Sequence, residues 1–431
     1  MFTKDEMKKI VSSVAAKKEF ALLYGAGEEM FAKQSARYER LVDSYIAHFG
    51  DKGEAPAFFS APGRTEIVGN HTDHNNGCVL AAAVTLDTLA AAAPNGTDTV
   101  RLYSAGYDKE FVIDLHDLEK KDSEINTTDA ILRGVCYKCR EMGIPVKGFN
   151  ADVTSLVLGG SGLSSSAAFE VLLITVVDGL FGGGQMDGVT RAKVGQWVEN
   201  VYFGKPSGLM DQSASSIGGL VGIDFADNTA PVVKAHAFDF EKAGYKVVVM
   251  AAKSSHADLT DEYAAIPAEM KAVAAALGKK VLRETSKEEL MGNLPAVREQ
   301  TSDRAVMRAL HYFDENERVI KLYDAIDKGD LSAFLAGVIA SGESSWKLLQ
   351  NLYVGGRTSQ SLALACALSE ELLASCGGAW RVHGGGFAGT ILAFVPEKSL
   401  ETYVSAMNSV FGEGACTVLG IRPVGAKKVE L

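Results

Sequence analysis

Between residues 157 and 170 the chain reads Val-Leu-Gly-Gly-Ser-Gly-Leu-Ser-Ser-Ser-Ala-Ala-Phe-Glu. Phe149, Ala151, Val153 and Val157 alternate ahead of it as a strand does, and residues 165–180 carry the apolar content of a helix. The chain must therefore build a strand, a glycine turn and a helix in direct succession. Glycines leave backbone N–H groups uncovered. The first helical turn adds unpaired donors and the positive end of the helix dipole. The unit has the form of an anion cradle, although a plain strand-to-helix turn has the same composition. No Lys follows the final glycine, so it is not a P-loop, and no His-Arg-Asp or Asp-Phe-Gly marks a protein kinase. Gly160-x-Gly162-x-x-Ser165 falls short of a dinucleotide fingerprint, because the acidic residue that would follow, Asp178, lies inside the helical run.

A chain of 431 residues has room for two or three domains. Its formal net charge of −11, with no dense Lys/Arg cluster, argues against nucleic acid as a partner. The first ten residues are charged and do not read as a secretory leader, and no apolar stretch is expected to span a membrane. Six scattered cysteines, with Cys136-x-x-Cys139 on a helical pattern and no second pair at zinc spacing, suggest reduced thiols in a cytoplasmic protein.

The apolar spacing over 4–48 predicts two helices split at Gly25-Ala-Gly27. Strands are expected at 58–59 and 67–68 around a Pro62-Gly63 turn, at 79–93, 100–103, 111–113, 218–225 and 245–251. Helices are expected over 129–142 and 191–203, and helical patterns dominate 261–349. A β-hairpin is expected at 380–382 and 389–394, then a helix and a strand. The mixture predicts an α+β protein of two lobes, with the break near 225–245.

Three further segments carry candidate chemistry. From Pro62-Gly63-Arg64 to Gly77 runs Gly69-Asn70-His71-Thr72-Asp73-His74-Asn75-Asn76, a dense set of donors and acceptors suited to sugar hydroxyls. His71-x-Asp73-His74 lacks a recognised metal spacing, and Asn/Gly/Asp richness is also what turns look like. Gly204-Lys-Pro-Ser-Gly208-Leu-Met-Asp211-Gln212 offers Asp211 as a general base or as a helix N-cap. His383-Gly384-Gly385-Gly386-Phe387-Ala388-Gly389 forms a second close-approach loop.

Taken in order, Pro-Gly-Arg…His-x-Asp, Gly-Leu-Ser-Ser-Ser-Ala-Ala, Gly-x-Met-Asp-Gln and Gly-Gly-Gly-Phe-x-Gly resemble the GHMP kinase superfamily, and within it the galactokinases. The resemblance runs from about residue 35 to Arg422-Pro423 and beyond. It implies a two-lobed α+β fold with the active site between an N-terminal domain (36–230) and a C-terminal domain (231–431), preceded by a helical extension (1–35). It also implies ATP-dependent phosphorylation of the anomeric hydroxyl of a galactose-type sugar, with galactose giving galactose 1-phosphate and ADP. Asp211 would be the catalytic base and Arg64 the cation beside it. Gly159, Gly160, Ser161, Gly162, Leu163, Ser164 and Ser165 would wrap the ATP phosphates, and Ser166 and Glu199 would hold Mg²⁺. Asn70, His71, Asp73, His74, Gly208 and Tyr263 would meet the sugar. A cytoplasmic monomer or weak homo-oligomer, without nucleic-acid or membrane partners, goes with this reading.

Two departures bear on the substrate. Galactokinases mostly read Gly-Glu-His-Thr-Asp-Tyr where this chain has Asn70 and His74. An uncharged Asn70 would tolerate a C6 carboxylate that a Glu repels, and His74 adds a chargeable group. Galacturonate kinases resemble the chain at these positions. A kinase for galacturonate or another C6-modified galactose is the alternative, and a sugar- and ATP-binding regulator without turnover is a second.

Overall fold

The computed structural model describes residues 3–157, 162–205, 207–228, 230–252, 259–387 and 389–431. Gly159, Gly160 and Ser161 lie outside the described residues. In chain order the strands are β1 Ala57–Val68, β2 Cys78–Pro94, β3 Thr99–Ser104, β4 Phe111–Asp114, β5 Phe149–Ser155, β6 Leu220–Asp224, β7 Val232–His236, β8 Tyr245–Ala251, β9 Ala379–His383, β10 Thr390–Pro396, β11 Cys416–Leu419 and β12 Lys427–Lys428. Among the described residues they form two sheets. The larger runs β12-β1-β2-β5-β3-β4, with β6 and β7 extending from β2; the smaller runs β11-β8-β10-β9. The chain passes from one sheet to the other between 236 and 245, then returns at β12 to pair with Phe59 and Ser60 of β1.

The first eight helices are α1 Lys4–Val11, α2 Val14–Tyr24, α3 Glu28–Phe49, α4 Thr128–Glu141, α5 Ser165–Val177, α6 Gly188–Val198, α7 Met210–Ile217 and α8 Thr260–Ala276. The N-terminal segment holds three helices where the sequence suggested two. Ser13 explains the extra break: its hydroxyl accepts from the Ala16 amide at 3.0 Å and restarts the helix as an N-cap. The Pro62-Gly63 turn is not a turn. β1 runs through it, and its register against β2 shifts between Pro62 and Arg64 and again between Glu66 and Val68, bulges that re-aim Arg64. β7 was not anticipated, and the expected hairpin of β9 and β10 is present.

Alternation along β2 shows why this strand reads as continuously apolar: both its faces are covered. Ala90 and Ala92 join Phe59 of β1 in a core under α4 and α5, whereas Leu89, Ala91 and Ala93 join Phe58 in a second core under α1–α3. The N-terminal helices therefore close one face of the larger sheet. Further along, Ile67, Leu80 and Ala82 meet Val249 and Leu392 of the smaller sheet in one core shared by the lobes. Residues 165–182 are long and apolar enough by length and composition to cross a membrane, against the expectation that no stretch is. That segment is a core helix, with α5 packed between β1 and β2 on one side and α6 and α7 on the other. All six cysteines are free thiols, and Cys136 and Cys139 are core residues.

A buried polar ring pins these layers. Asp87 of β2 is fully buried and accepts from Arg37 of α3 at 2.5 Å, from the Tyr24 hydroxyl at 2.7 Å and from the Ser60 hydroxyl. Arg422, also fully buried, donates to Ser60 at 2.6 Å and to the carbonyls of Val424 and Gly425 at 2.9 Å.

Candidate active site

The bulge in β1 and the start of α7 bring together two residues 147 positions apart. Arg64 clamps Asp211 through both carboxylate oxygens, Nε to Oδ1 at 2.6 Å and Nη2 to Oδ2 at 2.8 Å. Its remaining nitrogen donates to the Gly162 carbonyl, and its backbone N–H donates to the Leu163 carbonyl at 3.0 Å. The Ser164 hydroxyl donates to Asp211 Oδ2 at 2.5 Å. Asp211 lies within the first turn of α7, and Leu209 occupies the cap position, so the N-cap alternative does not hold. Burial works to raise the Asp211 pKa, but the charge and hydrogen bonds of Arg64 and the bond from Ser164 outweigh it and hold the carboxyl below its ordinary range. The Asp211 side chain keeps 29% of its surface, so a ligand can reach it.

The glycine turn enters α5 under strain. Gly162 has φ +77°, and a Cβ there would come within 2.8 Å of Thr390 Oγ1 and 2.9 Å of His383 Nδ1. Ser164 adopts a left-handed conformation at φ 57°, rare for a residue with a side chain. With Ser165 and Ser166 these residues line a cavity of about 310 Å³ that also holds Arg64, Asp211 and Lys205. The cavity thus joins a cationic side, a helix N-terminus and one carboxylate.

At its edge Ser166 Oγ faces Glu199 Oε1 at 3.5 Å. Glu199 is buried and also meets Lys205 Nζ at 3.2 Å and Gln212 Nε2 at 2.7 Å. Gln212 reaches on to Glu170 at 3.1 Å, a buried carboxyl whose pKa is pushed well up by burial and then by Glu199. A hydroxyl and a carboxylate make an all-oxygen donor pair, which suits Mg²⁺ with its other positions left to phosphates and water.

The Asn70–His74 segment divides. Asp73 keeps 25% of its side-chain surface and Oδ2 sits beside Gly208, where a Cβ would be 3.4 Å away. With His74 they border a cavity of about 380 Å³. His71 is held at φ 61° and donates from Nε2 to the Gly385 carbonyl at 3.0 Å; burial, chiefly, lowers its pKa to about 4, so it is neutral. Tyr263 of α8 donates to the Gly386 carbonyl at 2.8 Å and borders the Asp211 cavity. Asn70 differs from the sequence expectation. It is 1% exposed, its Nδ2 donates to Glu66 at 3.1 Å and to the Gly384 carbonyl at 2.6 Å, and its Oδ1 accepts from Asn351 at 2.7 Å. The carboxamide is spent inside the protein. Asn70→Glu would set a carboxylate against that of Glu66, and the expected result is a loss of about 3 kcal/mol or more in unfolding free energy. Urea denaturation checks this, and a variant as stable as the parent would restore the sugar-facing reading.

Comparison with known proteins agrees with this geometry. Residues 43–94 match the galactokinase galactose-binding signature, and residues 130–219 match the GHMP kinases N terminal domain. A galactokinase of Lactobacillus helveticus is 30% identical over 381 residues, covering 86% of this chain and 94% of its own. The chain belongs to the galactokinase family. A galactokinase of Streptomyces coelicolor is 29% identical over 358 residues, covering 83% and 89%. The crystal structure of Lactococcus lactis galactokinase complexed with galactose superposes with TM-score 0.75 at 25% identity, over 90% of this chain and 98% of that one. A mevalonate kinase shares the fold, with TM-score 0.61 at 15% identity, over 84% and 98%.

Within this galactokinase-family site, Arg64, Gly162, Ser164, Ser165, Ser166, Asp211 and Tyr263 border one cavity, Glu199 meets Ser166 at its edge, and Asp73, His74 and Gly208 border the second. Leu163 is buried and contributes its carbonyl to Arg64. Sequence reasoning missed His383, Thr390, Lys205 and Gln212. Gln212 stood next to Asp211 in a quoted motif, and His383 opened the glycine hairpin; neither had a partner nearby in sequence to announce it.

Proposed function

We propose that the protein transfers the γ-phosphoryl group of ATP to the anomeric hydroxyl of galactose, giving galactose 1-phosphate and ADP. The observation that carries this is the Arg64–Asp211 fork closed over the Gly162 carbonyl at the mouth of the glycine-serine turn. Asp211, kept ionised, accepts the proton of the attacking hydroxyl. Arg64 stays beside it, where negative charge gathers on the moving phosphoryl group. The uncovered N–H groups at the start of α5 receive phosphate oxygens. Ser166 and Glu199 would hold Mg²⁺, which when bound offsets phosphate charge. His71, Asp73, Gly208 and Tyr263 orient the sugar. The burial of Asn70 removes the sequence argument for a C6 carboxylate partner at that residue, and this supports galactose over galacturonate.

The same reading takes residues 1–35 as an extension and 36–230 and 231–431 as domains, with the sheets dividing at 237–244. It also takes the enzyme to be cytoplasmic, and monomeric or weakly homo-oligomeric.

ADP release from Mg-ATP with galactose, galacturonate, glucose, N-acetylgalactosamine and arabinose tests the proposal. Galactose is expected to give the highest kcat/KM. Silence with every sugar would sink the kinase reading, and preference for galacturonate would sink the sugar. The pH profile supplies a second check. Because Arg64 holds the Asp211 pKa down, the acid limb of kcat/KM is expected below about pH 4. In Arg64→Met, burial acts unopposed by that charge, so the limb is expected to move up by a unit or more while kcat falls about 10²-fold. A limb that stays in place would separate Arg64 from the ionisation of Asp211.

A further inference from the structure

His383 ends β9, is 2% exposed, and touches three parts of the site at once. Its Nε2 lies 2.9 Å from Thr65 Oγ1 and 3.3 Å from the Glu66 amide nitrogen. Its Nδ1 lies 2.8 Å from Oγ1 of Thr390, its cross-strand partner on β10. A backbone N–H can only donate, so Nε2 must carry the lone pair and accept from Glu66 and from the Thr65 hydroxyl. Nδ1 then carries the hydrogen and donates to Thr390. This tautomer requires a neutral ring, and burial, with the flanking charges of Arg64 and Arg381, lowers the His383 pKa to about 3.

The imidazole is therefore a bolt between lobes. On one side it holds the peptide next to Arg64, in the stretch of β1 where the register slips twice. On the other it is fixed to the glycine hairpin. Its Nδ1 edge and Thr390 form the floor against which Gly162 rests, too close for any side chain at that position. Arg64 lies next to the held peptide on β1 and donates to the Gly162 carbonyl, which rests on that floor, and to Asp211. Asn70 ties Glu66 to the Gly384 carbonyl and Arg381 ties β9 to Glu66 and Ile67, while the His383 tie is the one that reaches Thr390 under Gly162.

We propose that His383 is a positioning residue for phosphoryl transfer: by tying the Thr65–Glu66 peptide to the glycine hairpin, it sets the angle at which Arg64 grips Asp211 and the phosphate turn. It rests on the reaction proposed above. The His383 ring borders the Asp211 cavity but is almost wholly buried, and it acts through Arg64.

Three variants test it. His383→Gln can place an acceptor where Nε2 stood and so keep the bond to Glu66. His383→Asn can keep only the donor to Thr390. His383→Ala keeps neither. Misplacement of a catalytic group by about an ångström costs on the order of 10²-fold in rate. His383→Ala and His383→Asn are expected to lose about that much in kcat, with KM for galactose within about 3-fold and the acid limb of the pH profile raised. His383→Gln is expected to recover most of the loss. Hydrogen exchange at the Glu66 amide is expected to speed up in the Ala and Asn variants and to return toward the parent rate in Gln.

A His383→Ala enzyme within about 3-fold of the parent in kcat, or Asn recovering as well as Gln, or a loss of activity matched by loss of folded protein with the pH profile unmoved, would each overturn the proposal. If the parent turns over no sugar, the reaction reading falls and takes the kinetic role with it. A parent that turns over alongside an unaffected His383→Ala variant overturns the positioning role alone.

Discussion

Asp211→Asn is expected to lower kcat at least about 10³-fold while ATP still binds. The substitution keeps the size and planarity of the side chain, and its one carbonyl oxygen can still accept from Arg64 Nη2 and Ser164, which now meet Asp211 Oδ2 at 2.8 Å and 2.5 Å, while its amide nitrogen loses the bond from Arg64 Nε. It loses the ability to take a proton. It also releases the Arg64 charge from its counter-ion, so attraction for ATP phosphates is expected to hold or rise, because one negative charge has left the cavity. Equilibrium titration with ATP and single-turnover measurement of phosphoryl transfer separate the two effects. Turnover within about 10-fold of the parent would remove Asp211 as the base. Loss of ATP binding together with turnover would assign it a structural role instead.

The second large effect falls on stability. Asp87→Ala is expected to cost about 3–5 kcal/mol of unfolding free energy, because it leaves Arg37 and Arg422 buried without the carboxylate between them. Tyr24 and Ser60 lose an acceptor at the same moment. Burial alone would raise the Asp87 pKa, but the two guanidinium groups and the two hydroxyls hold it below the ordinary carboxylate value. The sign follows. The stability that Asp87 contributes is complete above about pH 4 and is lost as pH falls through the depressed pKa. Urea unfolding of parent and variant at pH 7 measures the cost, and the gap is expected to narrow toward pH 3. An Arg37→Met, Asp87→Leu double variant is expected to be less harmed than Asp87→Ala, since it removes a charge of each sign. Equal loss in both would show that packing, not charge, sets the cost.

Much of this site can be read along the chain because its parts are locally marked. The glycine-serine segment announces a helix N-terminus, and Asp211 follows a run of Gly, Pro and Ser in the sequence. What joins them is not local. Arg64 meets Asp211 only because β1 bulges beside the entry to α5, and nothing in Pro62-Gly63-Arg64 distinguishes a bulge from a turn. Asn70 looked available because its neighbours are polar, yet it is enclosed by Glu66, Asn351 and Gly384, residues spread over more than half the chain. His383 opens the glycine hairpin in the sequence, but its role shows only where β9 approaches β1. The missed strand β7 has the opposite cause: its residues are mostly exposed, so hydrophobic alternation is weak, and pairing with β6 alone defines it.

The return of β12 to the edge of β1 has a consequence for how the enzyme is made. A ribosome releases residues 57–68 long before residues 422–428, which complete the edge of that sheet and the Asp87 ring. Until then the nascent chain carries an open strand edge and a half-satisfied charge cluster, both hazards for self-association. Assembly of the first lobe is therefore a late event in biogenesis, set by the last strand to emerge, and the newborn chain depends on whatever shields that edge in the interval.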